Sequence, residues 1–190
     1  MCVQHPVTKI GTWGGNGGNP MDIAEAPKRL ESITVRSGPG VVAAIAFSYV
    51  DHAGQKHAAG PWGGSGGQPH TVRSYYQLTA VDCYCTRRAH LQCQLQKFSS
   101  LMEQVQLGES EVVTQVSGTV GSFDGIAAVV TSIKFVTNLG SYGPWGEEKG
   151  APFAVPVQPG SGGGGGVVGF FARSGIYLDA IGVYVRPSDL

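Results

Sequence analysis

Gly11-Thr-Trp-Gly-Gly-Asn-Gly-Gly18, Gly60-Pro-Trp-Gly-Gly-Ser-Gly-Gly67 and Gly143-Pro-Trp-Gly-Glu-Glu-Lys-Gly150 are three versions of one phrase, and their recurrence decides the fold. Each precedes a run rich in β-branched residues, so the chain reads as three copies of one supersecondary unit. The spacing is uneven: Trp13 and Trp62 lie 49 residues apart, Trp62 and Trp145 lie 83 apart. Between the phrases the apolar pattern has period two. Ile33/Val35 and Ile45/Phe47/Tyr49 alternate with small or polar residues on either side of Gly38-Pro39-Gly40, which predicts a strand, a turn and a returning strand. The same grammar returns at 112–118 with 129–136, where Ile133 and Phe135 take the places of Ile45 and Phe47. It returns again at 153–157, 167–171 and 178–185. Three antiparallel sheets patterned in this way can each bury one face against the other two. The expected fold is therefore all-β, a three-sided prism of antiparallel sheets.

Residues 72–104 break the pattern. They contain no glycine, in a chain with 30 glycines among 190 residues, and they hold three of the four cysteines. Setting these 33 residues aside brings Trp62 and Trp145 to a spacing of 50, next to the 49 of the preceding repeat. It also joins Pro69-His-Thr71 to Val105-Gln-Leu-Gly108 as one short alternating strand. The segment reads as an insertion into an older repeat. A translated intron fits, because valine codons begin with GT and Gln104 is encodable by CAG; genomic exon boundaries decide this. The other reading is an ordinary long loop, although structureless loops beyond about 15 residues are uncommon in compact domains. The organisation expected is a short extension at 1–8 and a single domain at 9–187, interrupted at about 72–104.

Net charge is zero and only 14% of residues are charged, which argues against nucleic acid or an anionic membrane and for a neutral partner. No apolar run approaches the roughly 18–20 residues of a membrane span. Residues 1–6 lack an apolar core and a basic start, so a cytoplasmic and/or nuclear protein is expected, with reduced thiols.

Gly175-Ile-Tyr-Leu-Asp179 carries the chemistry. It falls between two strand patterns, in a turn whose main-chain N–H groups can face outward while Asp179 accepts hydrogen bonds. A carboxylate beside free amides suits a polyhydroxylated neutral ligand, since hydroxyls donate to the acid and their oxygens accept from the amides. A glycine loop such as 13–18 lets such a ligand reach the main chain, there being no Cβ in the way.

Trp13-Gly-Gly-Asn-Gly-Gly18, Ser141-Tyr-Gly-Pro-Trp-Gly146 and Gly169-Phe-Phe-Ala-Arg-Ser-Gly-Ile-Tyr-Leu-Asp-Ala-Ile-Gly-Val-Tyr184 resemble the jacalin-related lectins of plants. The resemblance runs from about Lys9 to Pro187 and leaves out 72–104. It implies a β-prism of three four-stranded Greek-key sheets, with the sugar held between the first glycine loop and the GxxxD turn. Carried onto this chain, it implies binding by Gly18, Gly175, Ile176, Tyr177, Leu178 and Asp179. The Gly18 amide would meet O3, the Tyr177 and Leu178 amides the ring oxygen and O6, and the Asp179 carboxylate O4 and O6. No metal or cofactor is implied. Residues stand ahead of the first loop and no cleavage signal precedes it, so the chain resembles the single-chain, mannose/glucose-type, monocot-like branch rather than the galactose-specific one. Partners implied are mannose/glucose-containing glycans or glycoproteins, in plant defence or stress, and a homodimer for avidity. Ala43 and Thr131 stand where the other two repeats would carry the counterpart of Asp179, so one sugar site is expected.

Three other classes compete with a sugar-binding protein. Five scattered histidines (His5, His52, His57, His70, His90) flank no nucleophile in a strand-turn-helix setting, so an enzyme is not expected. Cys83, Cys85 and Cys93 with His90 could imitate a zinc site, but the Cys-x-Cys spacing is atypical of the usual ligand pairs. The family resemblance also allows a protein-interaction module that aggregates a partner such as a β-glucosidase through a non-sugar surface, or galactose-type sugar specificity. Trp13, Trp62 and Trp145, identically placed in repeats with and without the acid, are expected to be structural rather than sugar-stacking platforms.

Overall fold

The computed structural model describes residues 7–71, 107–108, 110–157 and 165–187. The segment 72–104, with its Cys83, Cys85, His90 and Cys93, and most of the N-terminal extension lie outside the described residues. Among the described residues there are twelve strands: β1 (Thr8–Gly14), β2 (Asn19–Met21), β3 (Pro27–Gly38), β4 (Val41–Asp51), β5 (Lys56–Gly63), β6 (Gln68–Thr71), β7 (Val113–Phe123), β8 (Ile126–Thr137), β9 (Ser141–Gly146), β10 (Ala151–Pro156), β11 (Gly166–Ser174) and β12 (Leu178–Arg186).

They form three antiparallel groups with one plan: two long inner strands joined as a hairpin, flanked by two shorter outer strands. The orders are β1-β12-β11-β2, β5-β4-β3-β6 and β9-β8-β7-β10. In every group the glycine phrase runs along one outer strand and crosses to the other. The first group takes its outer strands from the start of the chain and its inner hairpin from the end, which brings the first glycine loop to the GxxxD turn. One departure from three separate sheets is found. Val167 of β11 pairs with Val113 of β7, so the first and third groups share one continuous eight-stranded sheet and only the second stands alone.

The repeat is visible in the register. Ile181 faces Trp13, Ile45 faces Trp62 and Ile133 faces Trp145, and in each case the pairing shifts just beyond, where a Gly-x pair opposes a single residue. Bulges of this kind bend a strand edge. The tryptophans close the corners of the prism: Trp13 stacks on Phe153 at 5.7 Å, Trp62 meets Phe47 edge-on at 5.3 Å, and Trp145 lies 6.0 Å from Phe135. Their packing role matches the expectation from placement. At the centre, Phe47, Phe135 and Phe170 come one from each group, with Phe170 edge-on to the other two. Such T-shaped contacts suit the aromatic quadrupole.

β6 descends β3 one residue per step, from Gln68 opposite Ser37 to Thr71 opposite Thr34. Three further steps reach Glu31, and there the N–H of Leu107 donates to the Glu31 carbonyl. Leu107 is the third residue after Thr71 once 72–104 is set aside, so the chain re-enters in the register it would have without them.

The stretch that follows is tied to the β8–β9 turn. Asn138 donates from Nδ2 to the Ser110 carbonyl and accepts at Oδ1 from the Val112 N–H. Glu111, only 1% exposed, accepts at Oε1 from the Thr137 and Tyr142 hydroxyls at 2.8 and 3.0 Å. Burial first, and then the hydrogen bond to Glu111, push the Tyr142 phenol up to about 12. A pKa raised in the folded state gives stability that is full below the unfolded value, near 10.0, and is lost as pH rises through about 12. The thermal midpoint is therefore expected to fall more steeply between these values than in Tyr142→Phe, and parallel pH profiles of the two proteins would refute the linkage.

Candidate functional site

The first glycine loop leaves β1 pressed against β12. Gly14 lies so close to that strand that a Cβ there would sit 2.2 Å from the Asp179 carbonyl oxygen, and the Gly15 N–H donates to the same oxygen at 2.9 Å. The loop then turns over the Asp179 side chain. A Cβ on Gly17 would fall 2.5 Å from Oδ1, and one on Gly18 would fall 2.6 Å from Oδ2. Gly18 also has φ +60, which glycine adopts without strain. The chain returns as β2, with Asn19 and Pro20 opposite Ser174 and Arg173 of β11.

Asp179 itself is not a turn residue, as its sequence context suggested. A register shift between Arg173 and Ser174 pairs Ser174 with Leu178, so β12 begins at Leu178 and Asp179 is held within the strand. The turn is only Gly175, Ile176 and Tyr177. This placement leaves Asp179 3% exposed, and its Oδ2 has no hydrogen-bond partner among the described residues. The neighbouring Ser174 hydroxyl is in the same condition. An unsatisfied buried acceptor is costly, so such groups call for an explanation.

The other expected site residues divide by role. A Cβ built on Gly175 would lie 3.5 Å from Asp179 Oδ2 and 3.6 Å from the Gly18 Cα, so Gly18, Gly175 and Asp179 converge on one point. The Gly175 N–H is engaged within the turn, donating to the Tyr177 carbonyl at 3.1 Å. Ile176 forms the rim, 70% exposed. The Leu178 side chain is fully in the core, so only its main chain can serve the site. Tyr177 turns outward: its hydroxyl donates to Asp124 Oδ2 at 3.1 Å, a bond that raises the phenol's pKa, and its ring meets Phe123 edge-on at 5.2 Å.

Phe123 and Asp124 belong to the β7–β8 turn, a wall that the sequence reading missed. The signal was present, because Asp124-Gly125 between two alternating runs is the hallmark of a two-residue hairpin turn. Arg173 was missed as well: its Nε and Nη2 donate to the Gly17 and Gly18 carbonyls, both at 2.8 Å.

The other two glycine loops repeat the backbone but not the acid. The Gly64 N–H donates to the Ala43 carbonyl and the Glu147 N–H to the Thr131 carbonyl, as Gly15 does to Asp179, so Ala43 and Thr131 are the structural counterparts of Asp179. Ala43 offers no polar group. Thr131 is fully buried and donates to the Lys149 carbonyl at 2.6 Å, closing the third loop on itself. Among the described residues no His/Cys/Asp/Glu group able to hold a metal ion is found, and no helix is long and apolar enough to cross a membrane.

A family model described as a jacalin-like lectin domain matches residues 10–184. The chain belongs to the jacalin-like lectin family. Proteins of this family bind carbohydrate and are not enzymes. Horcolin of Hordeum vulgare is 38% identical to this lectin chain over 180 residues, covering 94% of it and 97% of horcolin. The structure of a mannose-binding jacalin-related lectin from Ananas comosus superposes with a TM-score of 0.72 at 32% identity, covering 95% of this chain and 98% of the other. A mannose-specific jacalin-related lectin from Morus nigra, solved in complex with mannose, superposes with a TM-score of 0.68 at 25% identity, with 98% of each chain covered. The β-prism expected for this jacalin-like lectin is the fold these relatives share.

Proposed function

We propose that the chain recognises mannose/glucose-type glycans through one site, made by Gly18 of the first glycine loop and the Gly175–Asp179 segment. The observation that carries this is the buried Asp179 carboxylate, whose Oδ2 has no hydrogen-bond partner among the described residues at the point where Gly18 and Gly175 pack closely around it. In the proposed pose Asp179 accepts from O4 and O6, the Gly18 amide donates to O3, and the Tyr177 and Leu178 amides donate to the ring oxygen and O6. Mannose and glucose share an equatorial O4, which is axial in galactose, so the two groups of sugars present O4 to the carboxylate from different directions. That the Ananas comosus lectin is mannose-binding and the Morus nigra lectin mannose-specific supports the mannose/glucose choice.

Isothermal titration with methyl α-mannoside, methyl α-glucoside and methyl α-galactoside tests the proposal, with a stoichiometry of one expected for the first two. Asp179→Asn replaces an acceptor oxygen with an amide donor, and loss of one charged hydrogen-bond pair of about 1.5–3 kcal/mol should weaken mannoside binding by at least about tenfold. Unaltered affinity in that variant, or a preference for galactoside, would refute the site as drawn.

A further inference from the structure

Building on that sugar site, we propose that Arg173 is a positioning residue, holding the Gly17–Gly18 main chain in its binding geometry before any glycan arrives. The guanidinium presents one edge to the loop, Nε to the Gly17 carbonyl and Nη2 to the Gly18 carbonyl, each at 2.8 Å. Carbonyls of successive residues in extended chain point in opposite directions, so catching two of them on one rigid edge fixes a bend. That bend is at Gly18, with its φ of +60. Two of the five guanidinium N–H donors are directed at the loop, and it is through these that Arg173 sets the Gly17–Gly18 main chain.

The loop needs such a holder. Four of the five residues from Gly14 to Gly18 are glycine, the residue that loses most conformational freedom on ordering, and fixing one residue costs about 1–2 kcal/mol. An unheld loop would meet that cost on binding, whereas a preorganised one does not. A planar fork is suited to the task, because less freedom is lost per hydrogen bond than with a lysine.

The repeats supply an internal comparison. Arg173 pairs with Ala180, Arg36 with Ala44 and Thr119 with Ser132, so the three residues occupy one register position. In the third group Thr119 also holds its glycine loop, accepting from the Lys149 N–H at 3.2 Å. In the second group Arg36 makes no hydrogen bond to the 63–67 loop among the described residues. Thr119 also donates to the Glu147 carbonyl at 3.4 Å, so what sets the position beside Asp179 apart is a rigid charged edge with two short bonds in place of a single hydroxyl with two longer ones.

The test compares wild type, Arg173→Met, Arg173→Lys and Asp179→Asn by titration with methyl α-mannoside, and follows Gly17 and Gly18 amide exchange by NMR without sugar. If the free loop keeps its competent form about one-tenth of the time, Arg173→Met should bind about tenfold more weakly. Lysine, a single donor point, should recover part of that loss, to about threefold. Faster Gly17 and Gly18 exchange in Arg173→Met, with a thermal midpoint within about 2 °C of wild type, is expected of a half-buried residue acting on the loop alone. Full affinity in Arg173→Met, or weaker binding without any change in Gly17 and Gly18 exchange, overturns the clamp. Retained binding in Asp179→Asn overturns the sugar site and with it the clamp's purpose. Loss in Asp179→Asn beside full affinity in Arg173→Met overturns the clamp alone.

Discussion

A Gly18→Ala variant is expected to lose binding of methyl α-mannoside by more than about 100-fold, a change of about 2.8 kcal/mol. The added methyl would lie 2.3 Å from the Ser174 carbonyl carbon, 2.5 Å from its oxygen and 2.6 Å from Asp179 Oδ2. Two of these three atoms are main chain of β11, bonded on both sides within the sheet, so the loop must lift away instead. The left-handed conformation at φ +60 adds about 1–2 kcal/mol for a residue with a Cβ. Both effects separate the Gly18 amide from Asp179, and the strain should lower the thermal midpoint by about 4 °C. Gly66→Ala is the control, since a Cβ at that glycine of the second loop would meet nothing within 4 Å. Calorimetry on the two variants decides the matter: mannoside affinity in Gly18→Ala equal to that of Gly66→Ala would remove Gly18 from the site.

Deleting residues 72–104 is expected to raise the thermal midpoint and leave mannoside affinity unchanged. The Leu107 to Glu31 hydrogen bond continues the register of β6 on β3, so Thr71 can be joined to Val105 without realigning the sheet. A connection of 33 residues carries a chain-entropy cost of closure of about 3 kcal/mol, which the deletion removes. At about 2–4 °C per kcal/mol for a chain of this size, the midpoint should rise by about 6 °C or more. The sugar site, built from β1, β2, β11 and β12, should not notice. An equal or lower midpoint in the deletion variant would show that the segment is integral to the domain and not an insertion.

The prism was legible because its signal is periodic. Three Trp-centred phrases and alternating Ile/Phe pairs survive in the sequence whatever the chain does between them, and the pairing of Ile45, Ile133 and Ile181 with Trp62, Trp145 and Trp13 is the structural form of that repeat. The equivalence of Asp179, Ala43 and Thr131 was readable on the same ground. What escaped was whatever depends on contacts between distant segments. Arg173 meets Gly17 across 156 residues of chain, and Tyr177 meets Asp124 across 53; no local pattern announces either pair. The place of Asp179 escaped for a different reason. GxxxD reads as a turn, and only a one-residue shift in pairing at Ser174 draws its acid into the strand and out of water.

The single backbone pair between Val167 and Val113 divides the molecule unequally. Everything assigned to sugar recognition, from the first glycine loop to the Phe123-Asp124 wall, hangs on the continuous eight-stranded sheet. β6, the strand after which the 72–104 segment begins, belongs to the other sheet, which packs on the first through side chains and loops. Close approaches of that sheet's loops to the recognition end include Gly64 against the Ile176 carbonyl and Gly40 against the Phe123 ring. The two sheets therefore meet along a fault line, with the 72–104 segment entering on one side and the proposed recognition end on the other.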